Sequence, residues 1–315
     1  MNKINNTVEV ACFGEPLIGF YGEEKLGPAV WPFKMVIGGD TSNVALAIAK
    51  LGHQVAYLTR LGDDFLGKYI WQAWQEAGVK TDNVIIDQAN STGVYFALFN
   101  SNKEHQFAYK RKDSAAANYS IEDARNVSLK GMKLFYLSGI SQAISQKALE
   151  ASFFLLKQCQ KAGIKIGYDL NYRSPLWSKD FFNSVAWQTI RKYANLVTLN
   201  IEEAKILGLA GQPEQIVEDI LKCGPEIVAL KLGAKGSFMG TADSITYCEP
   251  CQTEVIDTVG AGDAFTAATI VGILEELEPK DLQRFANAVA AKVCASIGST
   301  SGQPKREEIN RLMEV

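Results

Sequence analysis

From residue 133 onward the chain alternates short apolar runs with helical segments, a rhythm that few architectures accommodate. KLFYLSG (133–139), IKIGYDLN (164–171), ANLVTLN (194–200) and EIVALKLG (226–233) read as strands. SQKALEASFFLLKQCQKAG (145–163), IEEAKILG (201–208) and PEQIVEDILKC (213–223) carry helical apolar spacing. Earlier in the chain VEVACFGEP (8–16) and QVAYLTRLG (54–62) read as strands, each followed by a helix, SNVALAIAKLG (42–52) and DDFLGKYIWQAWQEAGV (63–79). Two long helical segments, 261–277 and 281–298, close the pattern. Strands separated by helices predict an α/β fold with a mostly parallel, Rossmann-like sheet covered on both faces. Ligands on such sheets collect at the carboxyl ends of the strands.

Three segments break the rhythm. VIIDQ (84–88), TGVYFALFN (92–100) and HQFAYKRK (105–112) look like strands with no helix between them. With residues near the first strand they predict a small β-sheet lid, contributed by about 15–35 and 84–111, within a single domain spanning 1–315. The apolar stretch TGVYFALFN predicts an edge that is covered by pairing, hence a homodimer or higher homo-oligomer through the lid.

Charge and cysteine usage narrow the class of function. Lys+Arg 32 against Asp+Glu 35 leaves a formal charge of −3, without the basic excess of a nucleic-acid binder. No apolar run reaches a membrane span, and the six cysteines are scattered as in a cytoplasmic protein. Cys248 and Cys251 form a C-x-x-C with no second pair or histidine beside it, so they read as small residues around a strand end rather than as a zinc or redox site.

GDDFLGKY (62–69) imitates a phosphate-binding loop but ends in Tyr69, where a hydroxyl for Mg²⁺ is required. An aspartate-capped helix start is the better reading. DTVGAGDAF (257–265) is different. Gly260, Ala261 and Gly262 lead into a helix, where backbone N–H groups and the helix dipole stabilise an anion. A carboxylate beside that anion, Asp263, suits a general base taking a proton from an attacking hydroxyl while the amides stabilise a transferring phosphoryl group. An aspartate in a helix's first turn also has a plain stabilising role.

DTVGAGDAF closely resembles the C-terminal signature of the ribokinase-like (PfkB) sugar kinases. GGDTSNVALAIAKLG (38–52) resembles the family's sugar-binding segment, with Gly38, Gly39 and Asn43 as contacts. LGDDFLG, NIEEAKILG (200–208) and KLGAKGS (231–237) match further family elements, in order along nearly the whole chain. The resemblance implies a ribokinase-like fold and transfer of the ATP γ-phosphoryl group to a sugar hydroxyl. Asp263 would be the base and Gly260, Ala261 and Gly262 the anion hole. Asn200 and Glu203 would organise Mg²⁺ and phosphates through water; a helix cap at NIEE is the competing reading. Lys231, Gly233 and Gly236 would line the nucleotide pocket. Asn287 would touch adenine, unless it is an exposed polar residue. A monovalent cation is a further cofactor in such families.

Four features bear on the sugar. GEPL (14–17) resembles the 2-keto-3-deoxygluconate (KDG) kinases, and Ile18 or Gly19 stands where many fructokinases and ribokinases carry an acidic residue. YKRKDSAA (109–116) resembles the KDG-kinase lid segment, placing Tyr109 and Arg111 on one face. DLNYRSPLW (169–177) supplies Arg173; two arginines on one pocket form a carboxylate clamp. TGVYF (92–96) puts Tyr95 where the KDG kinases keep a substrate-contacting tyrosine, and FYLSGISQAIS (135–145) also resembles them. Lys110 and Asp113 depart from that pattern, and an inward Asp113 counts against an acidic substrate. The sequence thus points to phosphorylation of KDG at its 6-hydroxyl, with a fructokinase or related keto-sugar-acid kinase as the alternative. A non-catalytic sugar-acid sensor and a nicotinamide-dependent dehydrogenase are the readings from other classes.

Overall fold

The computed structural model describes residues 8–22, 29–99 and 105–313, with backbone only at Phe99 and His105. The strands are β1 (Val10–Phe13), β2 (Leu17–Gly22), β3 (Phe33–Gly38), β4 (Val55–Gly62), β5 (Val84–Asp87), β6 (Val94–Phe99), β7 (His105–Lys110), β8 (Leu134–Ser138), β9 (Lys165–Asp169), β10 (Leu196–Asn200), β11 (Ile227–Lys231), β12 (Ser237–Gly240) and β13 (Ile245–Cys248). Nine of them form one sheet in the order β13-β12-β11-β10-β9-β8-β1-β4-β5. It is parallel from β11 to β5, and β12 and β13 add an antiparallel edge.

The near-continuous apolar strands are explained by burial on both faces. Val10 and Cys12 of β1 enter one core, and Ala11 and Phe13 enter the other. The first core packs under the helices Asp40–Lys50, Phe65–Ala77, Ala261–Leu274 and Pro279–Cys294; the second packs under Gln146–Lys161, Lys179–Lys192 and Pro213–Leu221. Residues 264–272 of the helix Ala261–Leu274 are all buried, which suits a sequence apolar on every side. That helix is wedged between Asp40–Lys50 and Pro279–Cys294, so its first turn is rigidly placed.

The order reverses at β1, whose neighbours are β8 and β4. The carboxyl ends on the β8 side are Ser138, Asp169, Asn200 and Lys231, one from each successive strand, and the register pairs Ser138 with Asp169 and Asn200 with Lys231. This is the topological position where such sheets bind ligands.

The second sheet has the order β3-β2-β6-β7. Its membership corrects the sequence expectation at two points. VIID (β5) belongs to the main sheet, where Thr59 to Gly62 of β4 pair in parallel with Val84 to Asp87. Asp87 then stops the strand, because its Oδ1 accepts the N–H groups of Ala89 (2.9 Å) and Asn90 (3.0 Å). Second, β6 is not an edge: β2 and β7 flank it on both sides. The exposed apolar surface of this sheet comes instead from Trp31, Phe33 and Phe107.

Candidate active site

Gly260 caps the helix Ala261–Leu274 with φ 83°. Glycine is required there twice over, because a Cβ would also lie 2.6 Å from Cβ of Ser299. Ala261 N–H turns back to Thr258 O at 3.2 Å, so the anion hole expected over Gly260, Ala261 and Gly262 shifts. The amides of Gly262 and Asp263, in the first turn, have no intrahelical acceptor. Gly262 is exposed, and the nearest atom to a Cβ built on it is Nζ of Lys231 at 3.7 Å.

Asp263 follows, half-buried, and Nδ2 of Asn43 donates to its Oδ2 at 2.7 Å. Asn43 is itself fixed, since Ser299 Oγ donates to its Oδ1 at 3.0 Å and Gln303 Nε2 to its carbonyl at 2.8 Å. Burial pushes the Asp263 carboxyl up to about 7, and the charges of Asp40 and Asp169 add to the rise. The Asn43 hydrogen bond and Lys231 pull the other way. A carboxylate poised near neutrality and held in one orientation is suited to removing a proton from an alcohol.

The strand ends supply the rest. Asp169 is buried; its Oδ2 accepts from Lys231 Nζ (2.7 Å) and Thr266 Oγ1 (2.9 Å), while its Oδ1 is buried without a partner. Burial opposes the Lys231 ammonium, but Asp169 and Glu203 outweigh it and raise its pKa. Lys231 lies under the glycine turn, its Nζ being the nearest atom to a Cβ built on Gly262. Asn200 and Glu203 form a reciprocal capping box: each side chain accepts the other's backbone N–H, both at 2.9 Å. The capping reading of NIEE is thus realised, and Glu203 Oε1 also accepts from Tyr172 N–H at 3.3 Å. Among the described residues no group of three or more His, Cys, Asp or Glu is arranged to hold a metal ion. One or two protein oxygens beside phosphates are the usual provision for a well-hydrated Mg²⁺, and the orphaned Asp169 Oδ1 fits that provision.

Toward the second sheet, Gly39 has φ 98°, and a Cβ there would lie 2.4 Å from Glu15 O. Tyr95 is buried over Gly38 and Gly19; a Cβ at either would meet its ring or hydroxyl within 2.7 Å. Gly19 thus lacks a carboxylate because an aromatic ring occupies that space. The exposed Tyr109 stands 5.9 Å from Tyr95, ring to ring. Arg111 turns inward over Tyr109, 5.6 Å from its centroid, and forms a close ion pair with the fully buried Glu15. Ser114 Oγ donates to the other Glu15 oxygen at 2.5 Å. Arg111 is therefore not a free clamp: its charge already has a counter-charge, though its Nε is buried with no acceptor. Arg173 is exposed, with Nη1 donating to Tyr172 O at 2.8 Å. Both arginine charges act on one carboxylate, that of Asp40. Asp113 is exposed, with φ 59°, and Lys110 is exposed as well.

Asp40 was not singled out in the sequence. It opens the first helix; its Oδ2 accepts from Ser138 Oγ and from Asn171 Nδ2 (2.9 Å), and burial raises its pKa. Asp169, Glu15, Asn171 and Ser299 were likewise missed; the D of GGD and of DLNYR was the available signal. Two nucleotide-side expectations diverge. Gly233, φ 60°, faces open space, whereas a Cβ on Gly236 would lie 2.1 Å from Cys248 O, so Gly236 serves close backbone packing. Asn287 is buried, neither exposed nor free for a base. Its Nδ2 donates to Cys248 O (3.3 Å) and Glu249 O (3.0 Å), and its Oδ1 accepts from Ser237 Oγ (3.1 Å).

A carboxylate with a raised pKa, a helix start with free amides and a lysine below them are the groups that phosphoryl transfer to an alcohol calls for. The chain belongs to the pfkB family of carbohydrate kinases, whose model matches residues 8–306. It is 32% identical over 308 residues to a 2-dehydro-3-deoxygluconokinase of Bacillus subtilis, covering 96% of this chain and 94% of the relative. A 5-dehydro-2-deoxygluconokinase of Shouchella clausii is 29% identical, covering 90% and 87%. Among solved structures, a putative ribokinase II from E. coli in complex with ATP and Mg²⁺ superposes with a TM-score of 0.88 at 20% identity, covering 98% and 99%. The fold is that of the ribokinase-like enzymes.

Proposed function

We propose that the protein is an ATP-dependent kinase of 2-keto-3-deoxygluconate (2-dehydro-3-deoxygluconate), phosphorylating its terminal 6-hydroxyl with Asp263 as general base. The observation that carries the proposal is the Asp263 carboxyl, raised to about 7 and fixed by Asn43 at 2.7 Å in a glycine-rich first turn. The 6-hydroxyl oxygen attacks the γ-phosphorus, its proton passes to Asp263, and the bond to ADP breaks. The Gly262 and Asp263 amides and Lys231 stabilise charge on the transferred group. Glu203 and Asn200, with Asp169 nearby, would hold Mg²⁺ through water, where it supplies charge neutralisation on the phosphates. The second sheet, carrying Tyr95 and Tyr109, acts as a lid that excludes water.

Arg173 is the stronger carboxylate ligand, with Arg111 positioned by Glu15. Asp40 accepts a hydrogen bond from a sugar hydroxyl. The exposed Trp31, Phe33 and Phe107 favour a homodimer through the lid. The free cysteines favour a reducing, cytoplasmic setting. The Glu15–Arg111 pair favours a second reading, a fructokinase with a neutral substrate, and the Shouchella relative favours a neighbouring keto-sugar acid. The test is ADP formation with KDG, 5-keto-2-deoxygluconate, fructose and ribose at matched concentrations, with Asp263→Asn as the blank. Preference for fructose removes the carboxylate-clamp reading and keeps the base; no turnover on any of them removes the proposal.

A further inference from the structure

We propose that Lys50 is a positioning residue for phosphoryl transfer, acting through the C-terminal loop that orients Asn43 and thereby Asp263; this rests on the kinase reading above. Lys50 ends the helix Asp40–Lys50, whose first turn carries Asn43. A lysine at a helix C-terminus ordinarily serves its own last carbonyls. Here Nζ donates instead to Thr300 O (3.1 Å) and Gln303 O (3.4 Å), far along the chain. The ammonium is half-buried; burial lowers its pKa, and Glu308 opposes that.

The loop it grips does three things at the site. Ser299 Oγ holds the Asn43 side-chain oxygen, which fixes which end of the amide faces Asp263. Gln303 holds the Asn43 carbonyl. Ser299 also lies against the α-carbon of Gly260, the residue that starts the anion-binding turn. The other end of the loop is tied by Asp257, whose Oδ2 accepts Gly298 N–H at 2.8 Å while its Oδ1 accepts Val259 N–H at 3.0 Å. Asp257 thus anchors the beginning of the loop and Lys50 its end, with Ser299 between them.

Two backbone carbonyls turned toward one point require a donor of more than one hydrogen bond. An ammonium meets that need, and its charge makes those bonds about twice as strong as neutral ones. A neutral side chain of similar length leaves the carbonyls to water and lets the segment 299–303 drift. Asn43 then loses its fixed amide, and the Asp263 carboxylate loses its aim. Misplacement of a reacting group by about 1 Å costs up to about 100-fold in rate. Arg173, Tyr95 and Tyr109 lie outside the loop, and of the sugar-side residues only Asn43 is tied to it, so the loss falls on kcat more than on KM.

The experiment compares wild type, Lys50→Met and Lys50→Arg by steady-state kinetics and by backbone hydrogen exchange. Lys50→Met is expected to lose about 10- to 100-fold in kcat, with both KM values within about twofold. Lys50→Arg, which keeps a charged donor, is expected to recover to within about threefold of wild type. Exchange at the amides of 298–303 is expected to speed up in Lys50→Met while the nine-stranded sheet stays protected. Wild-type kcat in Lys50→Met with unchanged loop exchange overturns the proposal. So does a loss that arginine does not recover and that comes with faster exchange across the whole sheet. If wild type itself turns over no sugar, the kinase reading fails, and the loop exchange alone decides whether Lys50 holds the segment.

Discussion

Replacing Asp263 by asparagine is expected to remove activity and yet stabilise the protein, with a gain that grows with pH. The carboxyl stands at about 7 in the folded chain against an ordinary value of 3.8. Its folded pKa is raised, so the folded state binds the proton more tightly than the unfolded state does. Stability attached to this group is therefore present below about pH 4 and is lost as pH rises through 7. A difference of this size corresponds to about 4 kcal/mol at full ionisation, and relaxation of the half-open cleft reduces that to about 2 kcal/mol. Asparagine keeps an acceptor for Asn43 and carries no charge. For a chain of this length, about 2 kcal/mol corresponds to about 3 °C in Tm. The assay is thermal unfolding of both forms between about pH 4.5 and 8. The expected difference is near zero at the acid end and about 3 °C in favour of asparagine at the alkaline end. Turnover is expected to fall by about 10²- to 10⁴-fold. A Tm difference that does not change with pH, or wild type the more stable form at pH 8, would refute the claim that the base is held strained in its ionised state.

Other perturbations separate orientation, strain and substrate charge. Asn43→Ala removes the bond that lowers the Asp263 pKa, so the acid limb of the pH–rate profile is expected to move to higher pH. Gly260→Ala is expected to cost more than about 2 kcal/mol in denaturant unfolding, because a Cβ there meets both a positive φ and Ser299. Arg173→Ala is expected to raise KM for KDG by about tenfold or more, as a lost charge-assisted contact does, and to leave any turnover of fructose unchanged. Asn287→Ala is expected to lower stability by about 2 kcal/mol, as lost buried hydrogen bonds do, with KM for ATP nearly unchanged.

The parts legible in sequence were those set by local spacing. The β8–β11 strands and their helices followed from apolar period, and Asp64 caps the helix Phe65–Ala77 as its position before FLG implied, accepting Gly67 N–H at 2.8 Å. Turn chemistry also placed the glycine entry to Ala261–Leu274. What sequence could not show was pairing at a distance. VIID is too short to distinguish a lid strand from a sheet edge, and only its partner β4 decides. The short hairpin β12–β13 carries no strong alternation and was passed over. Within the site, motif residues were visible one at a time, but their partners were not. Asp40 and Asn171 lie 131 positions apart, and Arg111 lies about a hundred from Glu15, until the fold brings each pair together. Asn287 shows the same limit: its helix follows from the apolar period, but the sequence does not tell that it clamps the backbone of Cys248 and Glu249 at the end of β13.

The charge at the sugar end carries the question of substrate. Glu15 compensates Arg111, so the pair contributes little net charge to a ligand. Arg173 faces outward from the strand end and adds one positive charge, and Asp40 lies within reach of both arginines. Burial raises the Asp40 pKa, while the Ser138 hydrogen bond and the charges of Arg111 and Arg173 oppose that rise. A monoanionic sugar acid would balance Arg173 in that arrangement, whereas a neutral sugar would leave it to solvent. Gly19 adds the second half of the argument. Tyr95 fills the space above it, so the chain cannot place a carboxylate at position 19 without displacing the ring, and on the proposed reading the hydroxyl-binding acid would be Asp40 instead. Moving the acid to the start of a helix puts it beside Asp263, whose pKa it helps to raise. On the proposed reading the same carboxylate would couple recognition of the sugar to the poise of the base.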